Sequence, residues 1–382
     1  MKSVFGYKLD ITIVGLSLLC FYPFIAFYSF DITALRVMCF LFLLALFAFR
    51  TCLGQLRIKK RTLLFLCLTI IPSGFWLVSH GDSHAENQLI HALSAGIMIL
   101  LLERHESSHK KLLRHWANWN TIQVLLIVCG LPMLLLGFIS PYRVIEYGDQ
   151  IIRFYGMFNI KVRNPDDWSL RSGGFYDEPG SLILMIWLVG LLCRHSNVIV
   201  DLFQRVGSIV AMSFAWIFMV FHDILERGWR RVAVLCILIV GLYPIASEDD
   251  YIKSRTLERA ELMVSGYDAG RSAGLEMGPT LLRRYMFSGI SMEELNAKHP
   301  SFVEEIGYTP FILFGLIGGA IYLAPLLLAF KGMKWLEVLV TGLFFWQRPF
   351  LYFPPILVLL YFLYNYGTED ARSEHKEPKP SP

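Results

Sequence analysis

Apolar residues run almost unbroken, over the length of a bilayer crossing, at many places along this chain. A helix needs about 20 such residues to pass the hydrocarbon core, within a range of about 17–25. By that measure segments 11–30, 32–49, 62–79, 86–103, 121–140, 308–330 and 350–366 predict crossing helices. The shorter runs 181–193, 232–246 and 335–349 predict further crossings, and 197–222 is ambiguous. Ile11–Phe30 exceeds a cleavable signal's apolar region, lacks a clear small-residue cleavage site and is followed at once by a second apolar run. It reads as a permanent first helix.

Composition agrees. Of 382 residues 55% are hydrophobic and only 17% charged, with a mean hydropathy of +0.50. A soluble domain carries about a quarter charged residues, so the deficit points to lipid as the solvent. The net charge of +4 comes with no basic arm interleaved with aromatics, so nucleic acid is not an expected partner. The seven cysteines sit in apolar runs or beside basic turns, without C-x-x-C spacing and outside the two long polar segments. They read as small buried hydrophobes, and neither a disulfide framework, a metal site nor a cofactor is expected.

The placement of Lys and Arg sets the orientation. Basic turns at 50–61, 104–115, 223–231 and 331–334 read as cytoplasmic, while 80–87 has no Lys or Arg and reads as external. The alternation closes if 197–222 is a tight hairpin of two short helices, with Asp201 and Arg205 paired one turn apart. The expectation is an all-α, polytopic integral membrane protein of about twelve transmembrane helices, with both termini inside. It forms one membrane domain over 1–366, with large external loops at 141–180 and 247–303. A disordered cytoplasmic tail follows at 367–382.

Those external loops hold Arg143, Arg153, Arg163 and Arg171 in the first, and Arg255, Arg259, Arg271, Arg283 and Arg284 in the second. A guanidinium fork is permanently charged and matches phosphate oxygens, so external arginines at a membrane suit a lipid-linked phosphate or diphosphate. They also suit anionic headgroups, or pairing with Asp166, Asp167, Glu258 and Glu261.

The sharpest local string is Arg171-Ser-Gly-Gly-Phe-Tyr-Asp-Glu-Pro-Gly-Ser181, which opens a helix. Pro179 suits a first turn, and Asp177 and Glu178 complement a helix N-terminus. Capping accounts for Asp177 but not for Arg171 or Tyr176. A second string holds Lys298, His299, Phe302 and Glu304, followed by Phe314-Gly-Leu-Ile-Gly-Gly319. A His or carboxylate just above a re-entering helix suits proton transfer from a sugar hydroxyl; a purely interfacial His fits these residues equally.

R-x-x-G-x-x-x-E-P-G leading into a mid-chain helix, a long Arg-containing loop, then H-x-x-F-x-E ahead of F-G-L-I-G, resembles the O-antigen polymerase and ligase superfamily over roughly residues 60–330. Arg163 with Gly174, and Arg255 with Gly266, also fit the R-x10-G pattern described in its polymerases. The resemblance implies a metal-independent glycosyltransferase of the bacterial inner membrane, with its active site facing the periplasm or exterior. Its substrate would be a polyprenyl-diphosphate-linked oligosaccharide, joined into O-antigen, capsule or exopolysaccharide. Membrane lipid, a flippase and a chain-length regulator would be its partners. It further implies that Arg171 and Arg271 face the diphosphates, with Arg283 or Arg284 in support, and that His299 orients or deprotonates the acceptor, with Glu178 as competing base. Arg163, Tyr176, Asp177, Arg255 and Glu304 complete the implied binding set. The ligase branch shows His-x-Asn where this chain has His299-Pro300-Ser301, which favours polymerase. A ligase, or a transporter of lipid-linked sugars, is the alternative.

Overall fold

The computed structural model describes residues 2–21, 33–56, 58–103, 108–147, 150–155, 158–162, 176, 179–193, 204, 218–219, 222, 225–226, 272–300, 302, 307–347 and 351–373. Its helices are α1 (Lys2–Phe21), α2 (Thr33–Cys52), α3 (Lys60–His80), α4 (Ser83–Glu103), α5 (Ser108–Leu135) and α6 (Pro179–Leu192). There follow α7 (Ser272–Tyr285), α8 (Met292–Lys298), α9 (Thr309–Tyr322), α10 (Ala324–Phe330), α11 (Trp335–Gln347) and α12 (Pro354–Ser373). Among the described residues, five stretches are long and apolar enough to cross a membrane: Ala34–Cys52, Lys60–His80, Ser83–Glu103, His109–Leu134 and Thr309–Phe330. The expected crossing at 232–246 and most of the 197–222 hairpin lie outside the described residues.

The helices are built for lipid. On α3 the buried face holds Thr62, Phe65, Leu66, Thr69, Ser73 and Trp76, while Leu63, Leu64, Ile71, Phe75 and Val78 point outward. Val78 is 86% exposed and Phe75 68%. A water-soluble helix places its hydroxyls outside and its aliphatics inside, so this reversed arrangement fits an apolar solvent. The inward hydroxyls are satisfied along the helix, Thr69 donating to the Phe65 carbonyl at 2.7 Å and Ser73 to that of Thr69 at 2.8 Å. By contrast α6 is buried on every side, from Leu182 to Leu192, and forms the bundle's centre against α5 and α12.

Basic turns collect at one end. Glu103 at the close of α4 accepts Thr62 Oγ1 at 2.7 Å and the Tyr361 hydroxyl, with Lys59 Nζ at 3.6 Å, tying α3, α4 and α12 together. His109 at the start of α5 stacks on Tyr366 with ring centres 3.9 Å apart. Lys334, between α10 and α11, reaches Glu226 at 3.6 Å, and Glu226 lies 3.3 Å from the buried His222. Arg50 donates to Asp10 at 2.8 Å, and both are buried, locking α2 to α1.

Three sequence expectations need correction. The 141–180 segment is not all loop, so the chain is not all-α. It carries an antiparallel meander of β1 (Arg143–Tyr147), β2 (Gln150–Tyr155) and β3 (Phe158–Val162), in the register Arg143↔Phe154 and Ile151↔Val162. These strands are rich in β-branched and aromatic residues, and each two-residue connection, Gly148-Asp149 and Gly156-Met157, begins with the glycine that hairpin turns favour. The 308–330 run is not one helix. It breaks inside α9 at Gly315 and again between Tyr322 and Ala324. Third, the tail expected to be disordered from 367 carries helix again as far as Ser373, after a break at Gly367 (φ 65°, ψ 176°) that falls at the expected boundary; residues 374–382 lie outside the described set.

Candidate functional site

The end opposite the basic turns is organised around the break in α9. Gly315 sits at φ 69°, ψ 179°, in a region only glycine occupies without strain. The break takes the Phe314–Leu316 peptides out of the helical ladder, and a second segment meets them. Ile290 N donates to the Leu313 carbonyl at 3.1 Å, and Leu316 N to the Met286 carbonyl at 2.6 Å. His80 Nε2, at the end of α3, lies 3.1 Å from the same Leu313 oxygen. Phe314 stacks on Trp76 with ring centres 4.1 Å apart, and Tyr322 and Tyr352 extend the aromatic cluster.

Asp82 joins the same assembly. One carboxylate oxygen caps α4 by accepting Ala85 N at 2.8 Å, and the other accepts Met292 N, at the start of α8, at 3.1 Å. The α7–α8 unit is therefore held from two sides, by the α3–α4 turn and by the broken helix. It has a small core of its own in Leu281, Tyr285, Ile290, Met292, Leu295, Phe302, Ile312 and Leu313.

His299 closes α8, its N–H bonded to the Leu295 carbonyl at 2.8 Å and its carbonyl accepting Phe302 N at 2.9 Å. The backbone is fixed, yet Nε2 is buried without a hydrogen-bond partner, and the Tyr285 hydroxyl is a second such atom in this unit. Lys298 beside it is paired with Glu294. That hydrogen bond, and then the carboxylate's charge, raise the ammonium's pKa, so Lys298 stays a cation and is no base. Arg283 and Arg284 are exposed on α7, with the Arg284 guanidinium 5.6 Å from the Tyr285 ring centre.

Tyr176 belongs to a second cluster, on α5. It is 1% exposed and donates to Asn120 Oδ1 at 2.7 Å. Gln204 approaches the same helix, donating to Thr121 Oγ1 at 2.6 Å and to the Ala117 carbonyl at 3.1 Å. Of the residues expected from sequence, the structure thus describes Tyr176, Arg283, Arg284 and His299. Arg163, Arg171, Asp177, Glu178, Arg255, Arg271 and Glu304 lie outside the described residues. Sequence reasoning passed over His80, Asp82 and Asn120. Asn120 and Gln123 carried a usable signal, being carboxamides that enter an apolar run beside two tryptophans.

No protein-family description, no curated protein and no solved structure matches this chain.

Proposed function

We propose that this protein is a membrane glycosyltransferase that joins polyprenyl-diphosphate-linked oligosaccharide units into a surface polysaccharide. It sits in the bacterial inner membrane, with its basic turns in the cytoplasm and the α7–α8 unit outside. The observation that carries this reading is His299 Nε2, buried, unpartnered and held by a rigid backbone at the end opposite the basic turns. A buried ring nitrogen without a protein partner is suited to take a proton from a bound hydroxyl.

In the proposed step an acceptor sugar hydroxyl attacks the anomeric carbon of the donor glycan. The bond from that carbon to the diphosphate oxygen breaks, the proton passes to His299 or to Glu178, and polyprenyl diphosphate leaves. Arg171 and Arg271, with Arg283 or Arg284, carry the charge that develops on the leaving group. The break in α9 favours a transporter as second reading, since discontinuous helices line many transport sites.

Deletion of the gene separates these readings. A polymerase defect leaves units made, flipped and lipid-linked, but single. A ligase defect strands long polymer on its carrier, and a transporter defect leaves units facing the cytoplasm. His299→Ala should lower polymer yield without stopping unit export, by the roughly 10²–10⁴-fold that proton transfer contributes. Arg171→Lys should resemble the deletion, because a point charge does not replace a bidentate fork. Polymer of normal length in deletion cells refutes the reading.

A further inference from the structure

The end of the bundle where the basic turns collect holds a group of metal-ligating side chains that the proposed transfer reaction does not use. His222 and Glu226 lie four residues apart, so one helical turn puts both on the same face. Glu337 lies in the first turn of α11. One ligand atom from each of the three, a ring nitrogen and two carboxylate oxygens, comes within 4.8 Å of the others. His222 is 2% exposed and Glu337 0%.

Packing fixes the directions of these groups. Phe218 meets Phe344 of α11 edge-on, with ring centres 5.5 Å apart. The His222 ring stands at 80° to that of Trp187 in α6, 4.8 Å between centres, and Trp187 Nε1 donates to Thr341 Oγ1 at 2.9 Å. Thr341 is one turn beyond Glu337 on α11. The imidazole thus rests on an indole that is itself tied to the helix carrying the second carboxylate. Glu337 Oε2 accepts Lys334 N at 2.9 Å, which orients that carboxylate in turn.

Buried carboxylates are paired, strongly hydrogen-bonded or bound to metal. Lys334 Nζ, at 3.6 Å from Glu226 Oε1, is beyond hydrogen-bond distance, and its side chain is 45% exposed. His222 Nε2 and Glu226 Oε2 are 3.3 Å apart, just past the usual N–H···O separation. Two donors bound to a tetrahedral Zn²⁺, each about 2.0–2.2 Å from it, stand about 3.4 Å from one another. The pair therefore already has the spacing of one edge of such a site. A movement of less than about 1.5 Å brings the Glu337 oxygen to a third corner.

We infer that His222, Glu226 and Glu337 bind a divalent transition-metal ion, with Zn²⁺ the best match. An imidazole joined to carboxylates suits Zn²⁺, whereas Mg²⁺ and Ca²⁺ take oxygen ligands. Three protein ligands leave a fourth position for water. The ion clamps the His222–Glu226 turn to α11, at the end opposite the α7–α8 unit. It takes no part in the transfer of sugar, and it stands whether or not the polymerase reading does.

The test uses tag-free, full-length protein in lipid nanodiscs, stripped with a chelator that is then dialysed away. Zn²⁺, Mg²⁺ and Co²⁺ are the probes. Zn²⁺ should occupy a site that His222→Gln, Glu226→Gln and Glu337→Gln each weaken by about a hundredfold or more, since loss of an outer-shell partner alone is worth roughly 10–100-fold. Co²⁺ should give the intense visible absorption of a four-coordinate ion, lost in the same variants. Lys334→Met removes a competing cation and should tighten Zn²⁺ binding roughly tenfold. Glu337→Gln keeps an acceptor for Lys334 N. If a buried variant does not purify folded, Glu226→Gln, at the partly exposed position, decides. Zn²⁺ uptake that these variants leave unchanged means an adventitious ion only and overturns the proposal. So does tighter binding of Mg²⁺ than of Zn²⁺, or weaker Zn²⁺ binding in Lys334→Met, which would make the lysine the cluster's own cation.

Discussion

Gly289 is where a single methyl group should do most damage. Its φ is +67°, a left-handed conformation that costs any other residue about 1–2 kcal/mol. A Cβ built there lies 2.2 Å from the Leu313 carbonyl oxygen and 2.9 Å from its carbon, both backbone atoms. No rotamer change relieves such a contact, so one chain must move by about 1 Å to restore ordinary carbon–oxygen separation. That movement acts on the seam where Ile290 donates to Leu313 and Leu316 to Met286. Losing both bonds adds about 2 kcal/mol, at roughly 1 kcal/mol each. Gly289→Ala should therefore destabilise the protein by about 3–4 kcal/mol. It should also loosen the α7–α8 unit before the rest of the bundle, visible as faster hydrogen exchange at Ile290 and Leu316. Gly74→Ala is the control: it lies within α3, with an ordinary φ and no atom within 4 Å of the added Cβ, and should be neutral or slightly stabilising. An unfolding midpoint for Gly289→Ala equal to that of Gly74→Ala would refute the reasoning.

Further expectations follow from the buried polar contacts and from the direction of the bundle. Breaking the Asp10–Arg50 pair by Arg50→Leu should cost about 3–5 kcal/mol because a buried carboxylate loses its ion-pair cation; the double variant with Asp10→Leu should recover most of it in the same melt. Tyr361→Phe removes hydrogen bonds to Glu103 and Thr62 and should lower stability by about 1–3 kcal/mol, while Tyr364→Phe, on the same helix, should cost less. In a chain freed of its native cysteines, exposed positions Val144 and Glu293 changed to Cys should react with an impermeant thiol reagent in intact cells, and Lys331→Cys should not. Labelling at Lys331→Cys together with Glu293→Cys would end the assignment of opposite sides.

Much of the helical scaffold was legible because hydropathy works over windows as long as a bilayer is thick. The runs at 32–49, 62–79 and 86–103 agree with α2, α3 and α4 to within a few residues. The meander was legible too, in the β-branched and aromatic residues of Arg143–Tyr147, Gln150–Tyr155 and Phe158–Val162 and the glycine-led pairs between them, but a charge-based reading of 141–180 treated it as loop. The break in α9 was not visible as a break. Gly315, Gly318 and Gly319 lie in an apolar run, and small residues there also suit close helix packing. Only the Met286–Ile290 segment, distant in sequence, shows which peptides leave the ladder. His299 was singled out for its position before a re-entering helix, yet its unpartnered nitrogen depends on the core around Leu295 and Phe302. Asn120 was missed because its signal, two carboxamides entering an apolar run beside two tryptophans, matches no named motif.

The seam between residues 286–290 and 313–316 has a consequence for how this protein tolerates change. Its hydrogen bonds join main chain to main chain, so they are indifferent to which side chains the two segments carry. Glycine is required at 289 and 315, and nearly every neighbouring position is free to vary so long as it stays apolar or faces outward. Mutational scanning should therefore find two intolerant points within a permissive stretch. The α7–α8 unit can then change its surface without disturbing the frame that holds it to α9.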